Sequence, residues 1–124
     1  MVQADLAKAI RDREEIKITV KGRRSGHEVT LPVWFVLEGK TLWLLPVHGS
    51  RTQWFRNVLA DPTLTLRAGR RAVTAMGRPR RARSAVQRVL DRFRKKYSAK
   101  LVAQYYDHSD VVVDVPIDAC GQAK

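Results

Sequence analysis

Residues 16–45, IKITVKGRRSGHEVTLPVWFVLEGKTLWLL, carry the clearest structural pattern in the chain. Ile16–Lys21 alternates apolar and polar residues, which predicts a strand with one buried face. The glycine-bounded segment 22–26 (GRRSG) breaks this pattern as a basic loop. His27–Leu37 predicts a second strand, and Pro32 within it indicates a bulge or an edge position, because proline has no N–H to donate to the ladder.

The chain then predicts a hairpin and a short helix. Glu38–Lys40 is a turn, and Thr41–Leu45 is the strand that returns from it. The loop 46–50 follows, and Trp54, Phe55, Val58 and Leu59 give the next segment, Gln53–Ala60, the apolar side of a helix. The Asp61-Pro62 pair ends that helix.

The second half repeats the hairpin pattern and adds a long helix. Its predicted elements are strands at Thr63–Ala68, Ala72–Gly77 and Val111–Ile117 and an amphipathic helix from Ala82 to about Gln104. A short helix is also predicted over Val2–Glu14. Six strands, mostly in hairpins, with helices beside them, favour a mainly β fold: a six-stranded antiparallel barrel flanked by helices.

Size and composition narrow the class of protein. The chain has 124 residues, which predicts a single domain over residues 1–124. The one cysteine, Cys120, excludes a disulfide framework and a zinc cluster of cysteines within the chain, and the three histidines lack metal-ligand spacing, so no metal site is expected. No apolar run approaches the ~20 residues of a membrane span, and the charged N-terminus does not resemble a secretory signal. We therefore expect a cytoplasmic protein.

The positive charge is concentrated in one part of the chain. The net charge is +12, and residues 67–100 hold 13 of the 24 basic residues but only one acidic residue, Asp91. A localised basic region attracts anions through its long-range field. The partners that this charge favours are nucleic acid, an anionic membrane surface or an acidic small molecule.

Two segments are candidates for a binding site. The glycines of segment 22–26 allow close backbone approach, and its two arginines and serine suit a phosphate, although a charged hairpin turn has the same composition. In the predicted helix, Asn57 follows Trp54 by three residues and so lies on nearly the same face. An inward-facing Asn57 requires a hydrogen-bond partner, which is either the backbone of a neighbouring strand or a ligand.

In this order and separation, the two segments resemble the deazaflavin-dependent nitroreductase family. That family belongs to the split β-barrel superfamily, which also contains the flavin-dependent pyridoxamine phosphate oxidases. Its members have a strand that ends in Gly-Arg-Arg/Lys-Ser/Thr-Gly, a strand with an internal proline, a hairpin, and a Trp-x-x-Asn-aliphatic-x-Ala-Asn/Asp-Pro helix. These elements match Gly22–Gly26, Pro32 and Trp54–Pro62. The resemblance is good from Ile16 to Leu66 and weaker from Ala82 to Ile117.

The resemblance implies a six-stranded split barrel, often homodimeric, that binds coenzyme F420 in a groove. Its implied cofactor-binding residues form four groups. The cofactor's phosphate and acidic tail would contact Arg23, Arg24, Ser25 and Gly26, and its ring would lie along Val29, Thr30, Leu31, Pro32, Val33 and Trp34. Backbone contacts would come from Leu45, Pro46, Val47 and His48, and the site would be closed by Gln53, Trp54, Phe55, Arg56 and Asn57. Tyr97 is the implied catalytic residue, placed over the ring and the substrate.

The implied activity is hydride transfer between the reduced cofactor and a small organic acceptor such as a quinone, a nitro compound or an enone. Two alternatives stay open. An FMN- or haem-binding protein on the same barrel would also fit. So would a basic nucleic-acid-binding module, because Gly77-Arg78-Pro79 with its flanking arginines resembles the core of a minor-groove AT-hook, although a solvated basic connection is favoured at this place.

Overall fold

The structure is a computed structural model that describes residues 10–106 and 108–117. The predicted helix over Val2–Glu14 lies mostly outside the described residues, and Cys120 lies wholly outside them. The described residues form two four-stranded antiparallel sheets with three helices. The prediction of a mainly β fold with flanking helices is therefore confirmed.

Eight strands make up the two sheets. They are β1 (Ile16–Lys21), β2 (Glu28–Val33), β3 (Phe35–Glu38), β4 (Thr41–Leu44), β5 (Thr63–Ala68), β6 (Arg71–Met76), β7 (Arg78–Arg80) and β8 (Val112–Pro116). The first sheet has the order β2-β1-β5-β6 and the second has the order β3-β4-β8-β7. The helices are α1 (Gln53–Ala60), α2 (Arg83–Tyr97) and α3 (Ala99–Tyr105), and a 3-10 turn at Gly49–Arg51 precedes α1.

The alternation in β1 produces the buried face that the sequence predicts. Ile18 pairs with Leu31 of β2 on one side and with Leu66 of β5 on the other, so β1 is an inner strand. Ile16, Ile18 and Val20 are buried, while Lys17 and Lys21 point outward. Both sheets contribute apolar side chains to this core, which also includes Phe55 and Val58 of α1.

The predicted number of strands is corrected from six to eight, because two predicted strands pass from one sheet to the other. The segment His27–Leu37 is divided at Trp34 into β2 and β3, and the strand Ala72–Gly77 continues beyond Gly77 as β7. A Cβ at Gly77 would lie 3.1 Å from side chains of Leu64 and Val113, so this crossing is tightly packed. The two sheets are thereby joined along two of their edges.

Pro32 lies in an edge strand, as its chemistry predicts. Strand β2 is the outer strand of the first sheet. The N–H that Pro32 lacks is therefore not missing from the hydrogen bonds of an inner strand.

The predicted long helix from Ala82 to about Gln104 is wrong in its continuity. Ser98 has a φ of 93°, so the chain turns between α2 and α3. The hydroxyl of Ser98 then accepts a hydrogen bond from the N–H of Leu101 at 3.2 Å and caps α3. The apolar side of α2, from Val86 to Tyr97, packs in a second cluster with Val36, Trp43 and Val112 of the second sheet. None of the helices in the described residues has the length and apolar character to cross a membrane.

Candidate functional site

An apolar cleft opens where β2 passes into β3. Its volume is about 490 Å³. It is lined by Glu15, Leu31, Pro32, Val33, Trp34, Leu45, Val47, Thr52, Trp54, Tyr105 and Tyr106. Apolar and aromatic walls with a few polar groups are typical of sites for flat organic ligands.

A basic cleft lies at the other end of β2, between the β1–β2 turn and α1. Its volume is about 260 Å³. It is lined by Gly22, Arg23, Arg24, Ser25, Gln53, Arg56 and Asn57. Three guanidinium groups around one small cleft suit an anion that accepts several hydrogen bonds.

Arg23 ties the β1–β2 turn to α1. Its backbone N–H donates to Asn57 Oδ1 at 3.1 Å, and its Nη1 donates to the same oxygen at 2.8 Å. Its Nη2 donates to Gln53 Oε1 at 3.0 Å. Asn57, 6% exposed, therefore receives a backbone N–H and a guanidinium N–H from the β1–β2 turn.

The β1–β2 turn is closed by its own hydrogen bonds. The N–H of Gly22 donates to the carbonyl of His27 at 2.7 Å, and the N–H of Gly26 donates to the carbonyl of Gly22 at 2.8 Å. The φ of Gly26 is +77°, which a residue with a Cβ rarely adopts. Ser25 Oγ accepts from the N–H of His27 at 3.1 Å, so its own O–H is available to donate.

Within residues 10–106 and 108–117, none of the three arginines of this cleft has a carboxylate partner, and Arg23 is distinguished by its hydrogen bonds to the amide oxygens of Asn57 and Gln53. Arg24 and Arg56 are therefore able to direct their full charge toward a ligand. The tethered Arg23 and the two unpaired arginines have different roles: the first sets the shape of the turn, and the other two supply charge.

Trp34 is at the centre of an aromatic cluster beside the apolar cleft. Tyr97 stacks on it with a centroid separation of 4.2 Å and an interplanar angle of 8°. Tyr105 meets it edge-on at 5.6 Å, and Tyr106 is tilted against it at 6.0 Å. These contacts hold the indole ring in a fixed orientation.

The hydroxyl of Tyr97 is engaged by the backbone. It lies 2.6 Å from the carbonyl oxygen of Glu14 and 2.9 Å from that of Phe35, and it accepts the N–H of Phe35 at 3.1 Å. Burial raises the pKa of Tyr97 to about 12, so this hydroxyl is protonated at neutral pH. Tyr97 is not among the described residues that line the apolar cleft.

The structure brings most of the predicted site residues to one of the two clefts. The apolar cleft takes Leu31, Pro32, Val33, Trp34, Leu45, Val47 and Trp54. The basic cleft takes Arg23, Arg24, Ser25, Gln53, Arg56 and Asn57. The predicted residues that line neither are Gly26, Val29, Thr30, Pro46, His48, Phe55 and Tyr97.

The residues outside the clefts have other contacts. Phe55, predicted as a cofactor contact, has no exposed surface and belongs to the core between the sheets. Thr30 Oγ1 lies 2.8 Å from Thr19 Oγ1 of the neighbouring strand. The N–H of His48 donates to Thr52 Oγ1 at 2.8 Å, and the carbonyl of Pro46 accepts from Gly49, so both help to shape the turn before α1.

Four lining residues were not predicted: Glu15, Thr52, Tyr105 and Tyr106. Tyr105 and Tyr106 follow the end of the helix that the sequence predicts to about Gln104. The turn at Ser98 redirects α3 and brings both rings to Trp34. The sequence feature that could have identified these two lining residues is the pair of adjacent tyrosines beyond the last apolar position of the helix.

Within residues 10–106 and 108–117, no three His, Cys, Asp or Glu side chains are grouped so that they could hold a metal ion. The side chains that line the two clefts are mainly aromatic, aliphatic and basic, with Glu15, Ser25, Thr52, Gln53 and Asn57 as the other polar groups.

A scan against family models matches residues 2–119 to the family described as F420H(2)-dependent quinone reductase. The match covers nearly the whole chain, including every residue of both clefts. No curated protein matches the sequence.

Solved structures share the fold at low sequence identity. An F420-H2-dependent reductase, FDR-A, is 20% identical, with 83% of this chain and 94% of that chain covered and a TM-score of 0.65. A chain described as a domain-swapped dimer is also 20% identical, with 91% and 92% covered and a TM-score of 0.66. A protein from Listeria innocua assigned as a pyridoxamine 5'-phosphate oxidase is 12% identical, with 98% and 95% covered and a TM-score of 0.69.

Proposed function

The chain belongs to the F420H2-dependent quinone reductase family, and from this we propose that its two clefts together bind coenzyme F420 and present it to a small organic acceptor. The protein is an F420-dependent oxidoreductase.

One observation carries the assignment of the site: the apolar and basic clefts lie at opposite ends of β2. Six residues of strand span roughly 17–20 Å. An elongated cofactor with a flat ring at one end and a phosphodiester and glutamates further along matches this arrangement of an aromatic end and a cationic end. The residues present therefore fit the group that the family uses.

At the apolar end, Pro32, Trp34 and Trp54 supply walls for a flat ring. Trp34 is held by Tyr97 on one face and by Tyr105 at its edge, so this wall does not need to reorganise when the ring binds. The apolar lining excludes water from the reacting region.

At the basic end, Arg24 and Arg56 pair with the phosphodiester, and the backbone donors that the turn at 22–26 adds are the N–H groups of Arg24 and Ser25, because those of Gly22, Arg23 and Gly26 are already engaged. The tether from Arg23 to Asn57 fixes the width of this cleft. The binding of an acidic tail is supported by the net charge of +12.

When bound and reduced, the cofactor supplies a hydride. The chain's own contribution is to hold the acceptor beside the ring and to donate a hydrogen bond to the oxygen on which charge develops. Tyr106 suits this second role, because it lines the apolar cleft and burial raises the pKa of its hydroxyl, so the hydroxyl keeps its proton. We assign Tyr97 a positioning role behind Trp34. The family's description favours a quinone as the acceptor, ahead of nitro compounds and enones.

The alternative cofactors, FMN and haem, are less well supported, because the family match names F420.

A homodimer is supported by the domain-swapped dimer among the structural neighbours and by the edge strand β2, on which Val29 is 44% exposed. We also propose that the whole chain forms one split-barrel domain that dimerises. Light scattering of the purified protein should give twice the mass of 14.1 kDa, and a monomer mass contradicts the dimer.

The site is tested by removing the two unpaired arginines. Arg24→Gln with Arg56→Gln should weaken F420 binding about tenfold or more, because two charge-assisted hydrogen bonds are lost. The measurement is a fluorescence titration with oxidised F420. Arg70→Gln with Lys100→Gln removes the same charge from exposed positions outside both clefts and is the matched control. If F420 binding weakened equally in the two variants, only the net charge of the protein would matter, and the assignment of the phosphodiester to the basic cleft would be contradicted.

A further inference from the structure

A third groove, separate from both clefts, lies where β7 leads into α2. Its volume is about 610 Å³. It is lined by Thr41, Trp43, Arg78, Pro79, Arg80, Arg81, Ala82, Ala85, Arg88 and Asp114, none of which lines either of the other clefts. We propose that this groove binds a small molecule that carries a diphosphate.

A buried carboxylate holds two of the arginines in place. Asp114 is 2% exposed, and its two oxygens accept from Nε of Arg78 at 2.7 Å and from Nε of Arg80 at 2.5 Å. Each arginine uses one N–H for this contact, so its terminal nitrogens remain available to donate to another group. A single bidentate arginine would suffice to satisfy Asp114. The second arginine is therefore in excess of what Asp114 requires, and the pair forms a pre-oriented cationic fork.

The backbone fixes this fork as well. Strand β7 pairs with β8, with Arg78 opposite Asp114 and Arg80 opposite Val112. The side chains of Arg78 and Arg80 are 54% and 46% exposed, so their outer ends face solvent at the groove. The segment that resembles an AT-hook core is thus a strand of the second sheet, whereas AT-hooks usually lie in disordered segments.

The groove has more positive than negative charge. Arg88 pairs with Glu38, and Arg81 has no carboxylate partner among the described residues. Glu38 also pairs with Arg92 at 2.8 Å, so its charge is shared between two arginines. The four lining arginines and Arg92, set against Asp114 and Glu38, leave an excess of three positive charges, which suits a multiply charged anion such as a diphosphate group.

The start of α2 adds backbone donors at the same place. Ala82 is its N-cap residue, with no side-chain cap, and the first turn contains no acidic residue. The first helical hydrogen bonds run from Ala85 and Val86 to the carbonyl of Ala82, so the N–H groups of Arg83 and Ser84 precede them. Ala82 and Ala85 line the groove, which brings this positive end of the helix beside the arginines.

Two neighbouring anionic groups fit two guanidinium groups that flank one carboxylate. A diphosphate offers such groups at short separation, and its oxygens accept both from guanidinium N–H groups and from a helix N-terminus. The concave walls favour a small ligand over a long polymer, for which a flat or open cationic track would be expected.

The test uses inorganic pyrophosphate as the probe and isothermal titration calorimetry of the full chain. Wild type should bind pyrophosphate at one saturable site, and Arg80→Gln with Arg81→Gln should weaken this binding about tenfold or more. Arg70→Gln with Lys100→Gln is the charge-matched control and should change it less than threefold. Arg24→Gln with Arg56→Gln should also leave it unchanged, because those residues belong to the basic cleft.

A second readout does not depend on the variants. In ¹⁵N NMR spectra of the wild-type protein, pyrophosphate should shift the amide signals of Arg83 and Ser84. The proposal is overturned if pyrophosphate does not bind saturably, if the control variant loses as much affinity as the groove variant, or if binding follows Arg24 and Arg56. It is also overturned if duplex DNA binds with a steep salt dependence while pyrophosphate does not, because the groove would then be part of a nucleic-acid surface. Binding that follows Arg24 and Arg56 would overturn the groove and support the basic cleft as the phosphate site, whereas the other outcomes leave the F420 assignment unchanged.

Discussion

Asn57 shows how one side chain sets the form of the basic cleft. Its Oδ1 accepts the backbone N–H and a guanidinium N–H of Arg23, so the β1–β2 turn and α1 are held together through one atom. The sequence placed Asn57 on the inner side of its helix and left two partners open, a strand backbone or a ligand. The structure assigns the backbone and side chain of Arg23 as its partners.

Asn57→Ala leaves the N–H of Arg23 without this acceptor. We expect the free energy of unfolding to fall by about 1–3 kcal/mol. The F420 dissociation constant should rise about tenfold, because the turn is no longer held against α1. Asn57→Asp retains the acceptor oxygen and should recover most of the lost stability, but it should not restore F420 binding, because its carboxylate lies in the basic cleft and repels the anionic cofactor. Chemical denaturation and the F420 titration provide the two measurements, and unchanged binding by Asn57→Ala would disprove the role of the tether.

The resemblance implies a catalytic role for Tyr97, whereas we propose that it positions Trp34. Tyr97→Phe keeps the stacked ring but removes the hydroxyl that contacts the backbone of Phe35 and Glu14. Stability should fall by about 1–2 kcal/mol, while turnover at saturating F420 should change less than threefold. Tyr106→Phe is the comparison, and it should lower turnover about tenfold or more if its hydroxyl donates to the acceptor. A large loss of turnover in Tyr97→Phe, with its stability intact, would restore the catalytic role.

Lys96 gives the protein a pH dependence. Its Nζ donates to the carbonyl of Phe35 at 2.9 Å and lies 3.5 Å from the centroid of the Phe35 ring. Burial of the ammonium lowers the pKa of Lys96 from 10.5 to about 8. Between these values the unfolded chain binds more protons than the folded chain, so stability rises with pH.

Urea denaturation from pH 7 to pH 10 measures this effect. In wild type and in the exposed-site control Lys95→Met, we expect the free energy of unfolding to rise over this pH range. In Lys96→Met this rise should be absent. The window ends at pH 10, because the raised pKa of Tyr97 makes stability fall above that pH. Identical pH profiles for wild type and Lys96→Met would contradict the shift.

At the level of the elements, the 3-10 turn before α1 depends on a glycine. Gly49 has a φ of +59°, and a Cβ there would clash with Asp110 Oδ1 and lie 2.6 Å from the carbonyl of His108. Asp110 also accepts from the N–H and the hydroxyl of Ser50 at 2.9 and 2.8 Å, so the turn is fastened to the segment before β8. This contact places Thr52 and Trp54 at the wall of the apolar cleft.

Gly49→Ala should therefore lower the free energy of unfolding by about 2–4 kcal/mol, through backbone strain and displacement of Asp110. Gly39→Ala is the matched control, because Gly39 has a φ of +62° with nothing within 4 Å of its would-be Cβ. It should cost only the backbone strain, about 1–2 kcal/mol. Thermal and urea unfolding measure both, and equal losses would show that the contact with Asp110 does not matter.

The helices and strands also differ in how well they could be predicted from the sequence. The alternation of Ile16, Ile18 and Val20 predicted β1, since a half-buried strand leaves a direct period-2 pattern. The break at Ser98 was not predictable in the same way, because the apolar spacing continues from Tyr97 to Leu101 without a glycine or proline. Tertiary contacts, not local propensity, turn the chain there.

The clefts were predictable where a motif fixes the local geometry, and less so elsewhere. Asn57 lies on the inner side of its helix, as its spacing predicted, and Arg23, Asn57 and Trp54 line the two clefts. Trp54 and Phe55 both belong to the core between the sheets, but only Trp54 also lines the apolar cleft, because successive residues of a helix are about 100° apart. Tyr105 and Tyr106 required the position of α3, which depends on the turn at Ser98.

Over the whole molecule, the division into two sheets determines where ligands can bind. Chain crossings at Trp34 and Gly77 join the sheets, and the apolar cleft and the arginine groove lie beside these two crossings. Much of the positive charge of residues 67–100 lies on β7 and α2, on the second sheet. The molecule thus has an aromatic and basic site along β2 and a separate arginine-rich groove.

We propose above that F420 binds along β2 with its ring in the apolar cleft. The most direct test of this proposal is a tryptophan fluorescence titration of the purified protein with oxidised F420 and, in parallel, with FMN. Trp34 and Trp54 line the apolar cleft, so bound F420 should quench them saturably at micromolar concentrations, more weakly as salt is added. FMN should bind at least about tenfold more weakly, a difference of about 1.4 kcal/mol. Tighter binding of FMN, or no quenching by F420, would contradict the account.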